Sequence, residues 1–243
     1  MKKPLYILYV FSLLLFACNK NKSNENFINI IPISHSTLII EYDKEVIYID
    51  PIGDHDTFQN QKTPTLVLIT DIHSDHFNNN TLLKIVNPET KIFAPKAVAD
   101  QLDPTLTPQM QILNNGDTAT LNHTHVEAIP MYHLREEAKA FHPKGRGNGY
   151  IINLGEQRIY ISGDTEDTPE MKALKDIDIA FVCMNLPWTM SVEKAAEAVL
   201  EFKPKAVYPY HYKGTNGESD LKHFKTLINK GNKSIKVHLE DWY

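Results

Sequence analysis

Short apolar runs alternate with polar turns and helix-period segments along most of the chain. Ile28–Ile33 and Thr37–Tyr42 predict strands, and Val46–Ile49 follows across the polar hairpin turn Asp43-Lys44-Glu45. Leu66–Ile69 is apolar without interruption, the pattern of a strand covered on both faces. Asn78 opens a helix through Leu82, Leu83 and Val86 that closes near Asn87-Pro88. Ile92–Ala94 is a short strand, and Pro95 suits the first turn of a helix reaching about Leu102. Thr118–Leu121 and His125–Ile129 read as a second hairpin, before a polar loop over Arg135–Asn148. Tyr150–Leu154 and Arg158–Ile161 flank the turn Gly155-Glu156, and Ile177–Val182 is a further strand. Ser191 caps an amphipathic helix to Phe202, Ala206–Tyr208 is a strand, and Leu221–Ile228 a helix with Asp220 at its positive end. Ile235–Val237 completes the pattern. Strands followed by helices in both halves predict an α/β protein, with two sheets face to face and helices outside.

The N-terminus breaks this pattern. Lys2 and Lys3 precede an apolar core, Leu5–Phe16, too short to span a bilayer, so residues 1–17 predict a secretory signal peptide. Leu15-Phe16-Ala17-Cys18 has the form of a bacterial lipobox, with Cys18 as the lipid-bearing first residue of the mature chain. The expectation is an exported lipoprotein, tied through Cys18 to the cell envelope and facing the periplasm or exterior. Residues 18–26 form a polar tether, and 27–243 one large domain. The 243 residues less this leader leave 226, with 23 basic against 30 acidic side chains and a net charge of −7. No basic stripe is present to hold a phosphate backbone, which argues against a nucleic-acid partner. A lipid on Cys18 would leave Cys183 alone, and its apolar run predicts a core thiol.

The candidate chemistry lies in Thr70-Asp71-Ile72-His73-Ser74-Asp75-His76, directly after the strand at Leu66–Ile69. Imidazole and carboxylate side chains are ligands for zinc and its neighbours. Asp71, His73 and Asp75 stand two apart and can face one way, while His76 turns aside. His133, Asp164 in Gly163-Asp164-Thr165, and His211 each follow a strand-like run, so all can meet at one sheet edge.

At these residues the chain resembles the metallo-β-lactamase-fold hydrolases, whose signature is His-x-His-x-Asp-His followed by a His, an Asp and a final His. The likeness is to the branch that includes ascorbate-6-phosphate lactonase, with His35–Ile40 and Asp50-Pro51 matching its opening. The resemblance implies a four-layer αββα sandwich holding two divalent metal ions, zinc by default and manganese or iron as alternatives. It would place Asp71, His73 and His133 on the first metal, Asp75, His76 and His211 on the second, and Asp164 between them, with Asp75 and Asp164 also serving catalysis. A hydroxide shared by the metals would attack an ester, lactone, amide or phosphodiester in a small-molecule substrate. A di-iron redox protein and a non-catalytic metal-binding surface lipoprotein are the alternatives.

Three points stay open. Asp71 stands where the family has its first His. His142, in the loop Phe141–Gly147, has the reach to replace His133, and His35 can sit beside the site as ligand or support. Three aspartates and a hydroxide would neutralise two divalent ions. That predicts weak action on strongly anionic groups, unless Arg135, Lys144 or Arg146 compensates. Lys144 and Arg146 are candidates to grip an anion or simply members of a solvated loop. Asn185–Met190, with Trp188, is a candidate apolar wall of the pocket. His55, His123, His125, His223 and His238 read as surface or structural residues.

Overall fold

The computed structural model describes residues 27–243; the expected signal peptide, Cys18 and tether lie outside the described residues. The first sheet contains β1 (Asn29–Ser34), β2 (Thr37–Tyr42), β3 (Glu45–Ile49), β4 (Leu66–Leu68), β5 (Lys91–Ala94) and β6 (Met110–Ile112), in that spatial order. β1 to β3 pair antiparallel and β3 to β6 parallel. The second sheet contains β7 (Thr118–Leu121), β8 (Thr124–Met131), β9 (Gly147–Leu154), β10 (Gln157–Ile161), β11 (Ile179–Cys183) and β12 (Ala206–Tyr210). A small hairpin, β13 (Lys213–Gly214) with β14 (Gly217–Glu218), stands apart, and β15 (Lys236–Val237) joins the second sheet beside β12.

Strand periodicity divides the apolar residues into layers. Leu38, Ile40, Ile47, Ile49, Leu66 and Leu68 face the second sheet, and join Ile152, Ile159 and Ile161 in one core. Their neighbours Ile39, Val46, Tyr48, Val67 and Ile69 point the other way. There they pack under Phe58, Leu82 and Val98, from α1 (His55–Phe58), α2 (Asn79–Ile85) and α3 (Lys96–Ala99). Both faces of β2 to β4 are therefore buried, which is why these strands read as uninterrupted apolar runs. α4 (Pro169–Lys172), α5 (Val192–Phe202) and α6 (Leu221–Gly231) cover the second sheet, with Ala195, Val199, Phe202, Phe224 and Ile228 in its core. The result is the αββα sandwich expected. Asn78, Ser191 and Asp220 cap their helices through side-chain oxygens that accept backbone N–H bonds.

Two elements differ from expectation. α3 is a single turn, and Pro95 sits before it as its cap. The polar loop ends at Arg146, because the β8–β9 ladder continues from Thr124↔Leu154 to Met131↔Gly147. That extension brings β9 onto the loop after β4. Asn148 donates its N–H to the Thr70 carbonyl at 2.9 Å, and the Tyr150 hydroxyl donates to the Ile69 carbonyl at 2.7 Å. A Cβ on Gly147 would lie 2.9 Å from the Thr70 oxygen, so only glycine allows this approach.

Candidate metal centre

The ends of several strands deliver the site. The loop after β4 carries Asp71, His73, Asp75 and His76; His133 follows β8, Asp164 follows β10, His211 follows β12, and His35 lies in the β1–β2 turn. His35 and His211 hold left-handed backbone conformations (φ 55° and 46°), and the His211 N–H donates to the His35 carbonyl. These backbones turn sharply at the sheet edge and aim both rings inward.

The ligating atoms gather in three groups, two of which share His211: Asp71, His73 and His142; His76, Asp164 and His211; and His35, Asp75 and His211. His211 Nε2 lies 3.2 Å from His76 Nε2, 3.3 Å from Asp164 Oδ1 and 3.4 Å from Asp75 Oδ2. His76 Nε2 is 3.3 Å from Asp164 Oδ2. On the other side, His142 Nε2 lies 3.4 Å from Asp71 Oδ2 and 3.5 Å from Asp164 Oδ2. A tetrahedral ion with bonds of about 2.0–2.1 Å has ligand-to-ligand edges of about 3.3 Å. The donor set thus fits divalent ions in spacing as well as in chemistry, and Asp164 faces both groups. Among the described residues, His142 Nε2 and Asp164 Oδ1 are buried side-chain atoms with no hydrogen-bond partner. Such atoms are costly unless something binds them, and they lie at the centre of this cluster.

His133, expected on the first metal, lies outside these three groups, next to His142. Its Nδ1 donates to the Ala138 carbonyl at 3.0 Å, so its Nε2 must accept, and it receives His142 Nδ1–H at 2.9 Å. That bond leaves the lone pair of His142 Nε2 pointing into the cluster. His133 therefore stands behind His142 and fixes its tautomer.

Other supports are visible only in three dimensions. Fully buried Asp50 accepts from the Thr70 N–H (2.7 Å), the Thr70 hydroxyl (2.6 Å) and His76 Nδ1 (2.7 Å), which turns His76 Nε2 inward. The Asn185 amide nitrogen is 2.8 Å from His211 Nδ1. Arg146 forks onto Asp71, with Nε to Oδ1 at 3.1 Å and Nη2 to Oδ2 at 3.0 Å. Asp50-Pro51 belongs to the family pattern, but no local sequence feature ties it to His76.

Electrostatics follow this packing. Burial disfavours the charge on Asp71, but the His142 and His73 imidazoles beside it outweigh that and hold the carboxyl far below its ordinary range. Asp75 is depressed against burial by His211 and His35, and Asp164 by the nearby His211 and His76. Burial also opposes charge on His76, yet Asp164 and Asp50 hold its imidazole well above the usual histidine range. His211 shifts down, with desolvation as the largest cause. Cys183 is a core residue as expected, its thiol pushed up to about 12 by burial.

At the rim, His35 Nε2 is 3.2 Å from Asp75 Oδ2, and its Nδ1 is 2.6 Å from the Tyr243 hydroxyl. The candidate anion grips are engaged elsewhere: Lys144 pairs with Glu170 at 2.5 Å, and Arg135 pairs with Glu166. The cleft over the cluster is lined by His73, Ser74, Asp75, His142, Asp164, Phe141 and Trp188.

Comparison with known proteins places the chain in a family. The model of the β-lactamase superfamily domain matches residues 29–211. A metal-dependent hydrolase of Pyrococcus horikoshii is 28% identical over 218 residues, covering 86% of this chain and 94% of that one. One of Nanoarchaeum equitans is 30% identical over 191 residues, covering 73% and 80%. A crystal structure from Parabacteroides distasonis, described as a metal-dependent hydrolase, superposes with a TM-score of 0.79 at 35% identity, covering 89% of this chain and 94% of that one. With its two stacked sheets and its aspartate–histidine cluster at one edge, the chain belongs to the β-lactamase superfamily and is a metal-dependent hydrolase of the metallo-β-lactamase fold.

Proposed function

We propose that the cluster holds two divalent ions and hydrolyses an acyl bond, of an ester or lactone, in a small molecule. The observation that carries this is the pair of buried, unpartnered atoms, His142 Nε2 and Asp164 Oδ1, below an open cleft. Asp71, His73 and His142 form one ligand set, and Asp75, His76 and His211 the other, with Asp164 shared. His133 is the support of His142 in this reading, not a ligand. Zinc is the resident ion; the three carboxylates leave manganese and iron as competitors.

Bound ions would polarise the acyl oxygen and lower the pKa of water. The protein's own groups do the rest. Asp75 lines the cleft with a half-exposed side chain, and it stays ionised because His211 and His35 stabilise its charge. Its carboxylate can take the proton of the attacking water as the new C–O bond forms. The same carboxylate returns the proton to the leaving oxygen when the acyl bond breaks. His35, held by Tyr243, orients that carboxylate. Arg146 bears on the charge of the centre. It places one positive charge on Asp71, the charge a neutral histidine there would have left uncancelled.

The test is hydrolysis by the full chain, stripped of metal and reloaded separately with zinc or manganese. Turnover of esters or lactones that chelator abolishes and metal restores supports the reading. Stoichiometric metal without any turnover across esters, lactones and phosphodiesters contradicts it. The envelope location belongs to the same proposal and rests on Leu15–Cys18. Labelled palmitate should enter the wild-type chain and not Cys18→Ala.

A further inference from the structure

We propose that the substrate is uncharged around its scissile bond and carries an apolar ring or short chain that seats against Phe141 and Trp188. This rests on the hydrolytic reading above and names the substrate class for the same site. Phe141 and Trp188 are large aromatics left 42% and 37% exposed, and they meet edge to face over the cluster, with centroids 5.2 Å apart at 87°. Isolated exposed apolar side chains are ordinary, but a contiguous pair at the mouth of a ligand cluster marks a binding surface. Perpendicular rings also leave a corner in which a third apolar group can stack on one face and touch the other edge.

Both aromatics are fixed relative to the cluster. Phe141 precedes His142, and its carbonyl accepts from the Arg146 guanidinium that also holds Asp71. Trp188 lies in a loop clamped by Arg135, whose Nη2 donates to the Pro187 and Thr189 carbonyls at 2.9 and 2.8 Å. Arg135 is itself anchored on Glu166. The Trp188 N–H donates to the carbonyl of Asn185, the residue whose amide touches His211. An apolar arm against these rings would thus place its reactive bond in a defined position over the ligands.

The charges exclude the opposite class of arm. Among the described residues, no lysine or arginine lines the cleft. The four cations of the flanking loop each face a carboxylate: Arg135 with Glu166, Lys139 with Glu136, Lys144 with Glu170, and Arg146 with Asp71. On the His35 side, Lys213 lies over the Tyr243 ring at 5.1 Å, outside the cleft lining. A phosphate or carboxylate on the substrate's arm would lose its hydration beside Asp75 and gain no counter-charge. The cleft, about 270 Å³, suits a compact molecule.

Hydroxamates separate the metal-binding head from the arm, and their binding does not require turnover. Calorimetry on the zinc-loaded full chain would compare acetohydroxamate, benzohydroxamate and 4-carboxybenzohydroxamate, with aryl-ester hydrolysis measured alongside. The proposal expects benzohydroxamate to bind about tenfold tighter than acetohydroxamate, and the added carboxylate to cancel that gain. Trp188→Ala and Phe141→Ala, with metal content checked, should bring the benzo-to-aceto ratio to within about threefold of one. Equal affinity for all three ligands overturns the proposal. So does tighter binding of the carboxylate, or a ratio unmoved in both variants. Ring preference without any ester turnover contradicts the hydrolytic reading and leaves the apolar seat standing.

Discussion

At the scale of single residues, the types that make up the cluster are legible in the sequence. Aspartates and histidines within one short stretch after a buried strand have few roles other than metal binding. What the letters leave open is which histidine of a pair points inward. His133 follows a strand as the family pattern requires, yet its ring is turned by the Ala138 carbonyl, and it is His142, from the loop, that groups with Asp71 and His73. His142→Ala should therefore drop the bound metal from two ions per chain to one. His133→Ala should keep both, with affinity weakened about 10- to 100-fold, as read by competition with a chelator of known affinity.

Charge couples Asp71 to Arg146 at the same scale. Asp71→His alone would leave the guanidinium, 19% exposed, without its carboxylate and beside the metal. The variant should lose metal affinity, and the double variant Asp71→His/Arg146→Gln should recover most of it. Additive losses in that cycle would show that the two side chains act independently. His76 gives a pH dependence. Its metal-free imidazole is held above the ordinary range by Asp164 and Asp50, so it is protonated at neutral pH and the proton competes with the metal. Loading zinc at pH 7 in weak buffer should release protons, and metal affinity should rise as pH climbs through that raised pKa. An affinity flat in pH, with no proton released, would contradict the assignment.

Secondary elements were legible where burial imposes a pattern. Covered on both faces, β2, β3 and β4 read as continuous apolar runs, and α5 and α6 show one apolar stripe behind a capping residue. Short pieces such as α1, α4 and the 3₁₀ turn at Pro104–Gln109 are set by caps and tertiary contacts, and periodicity does not reveal them. The start of β9 was hidden for a related reason. Gly147 and Asn148 look like loop residues, yet they pair with β8 and brace the loop bearing Asp71. A methyl group at Gly147 would meet the Thr70 carbonyl at 2.9 Å and Asp71 Oδ1 at 3.3 Å. Gly147→Ala should cost about 1–3 kcal/mol in urea unfolding of the metal-free protein and weaken metal binding. Gly145→Ala is the control, because that Cβ meets nothing within 4 Å. Its φ of +90° makes it a test of backbone strain without crowding.

For the whole molecule, two sheets pack so that their strand ends and turns converge on one edge, and that convergence turns scattered residues from His35 to His211 into a single centre. The alternation of strands and helices was enough to anticipate the layers, and Trp188 stood out as a candidate wall, whereas its contact with Phe141 and the long-range ion pairs of the loop cations depend on loop paths that no local pattern encodes. Elemental analysis of the purified full chain, beside Asp164→Asn, tests the central claim most directly. The account predicts two divalent ions per wild-type chain and at most one in the variant, because Asp164 faces both ligand groups. Less than one ion per wild-type chain, or two retained without the Asp164 carboxylate, would contradict it.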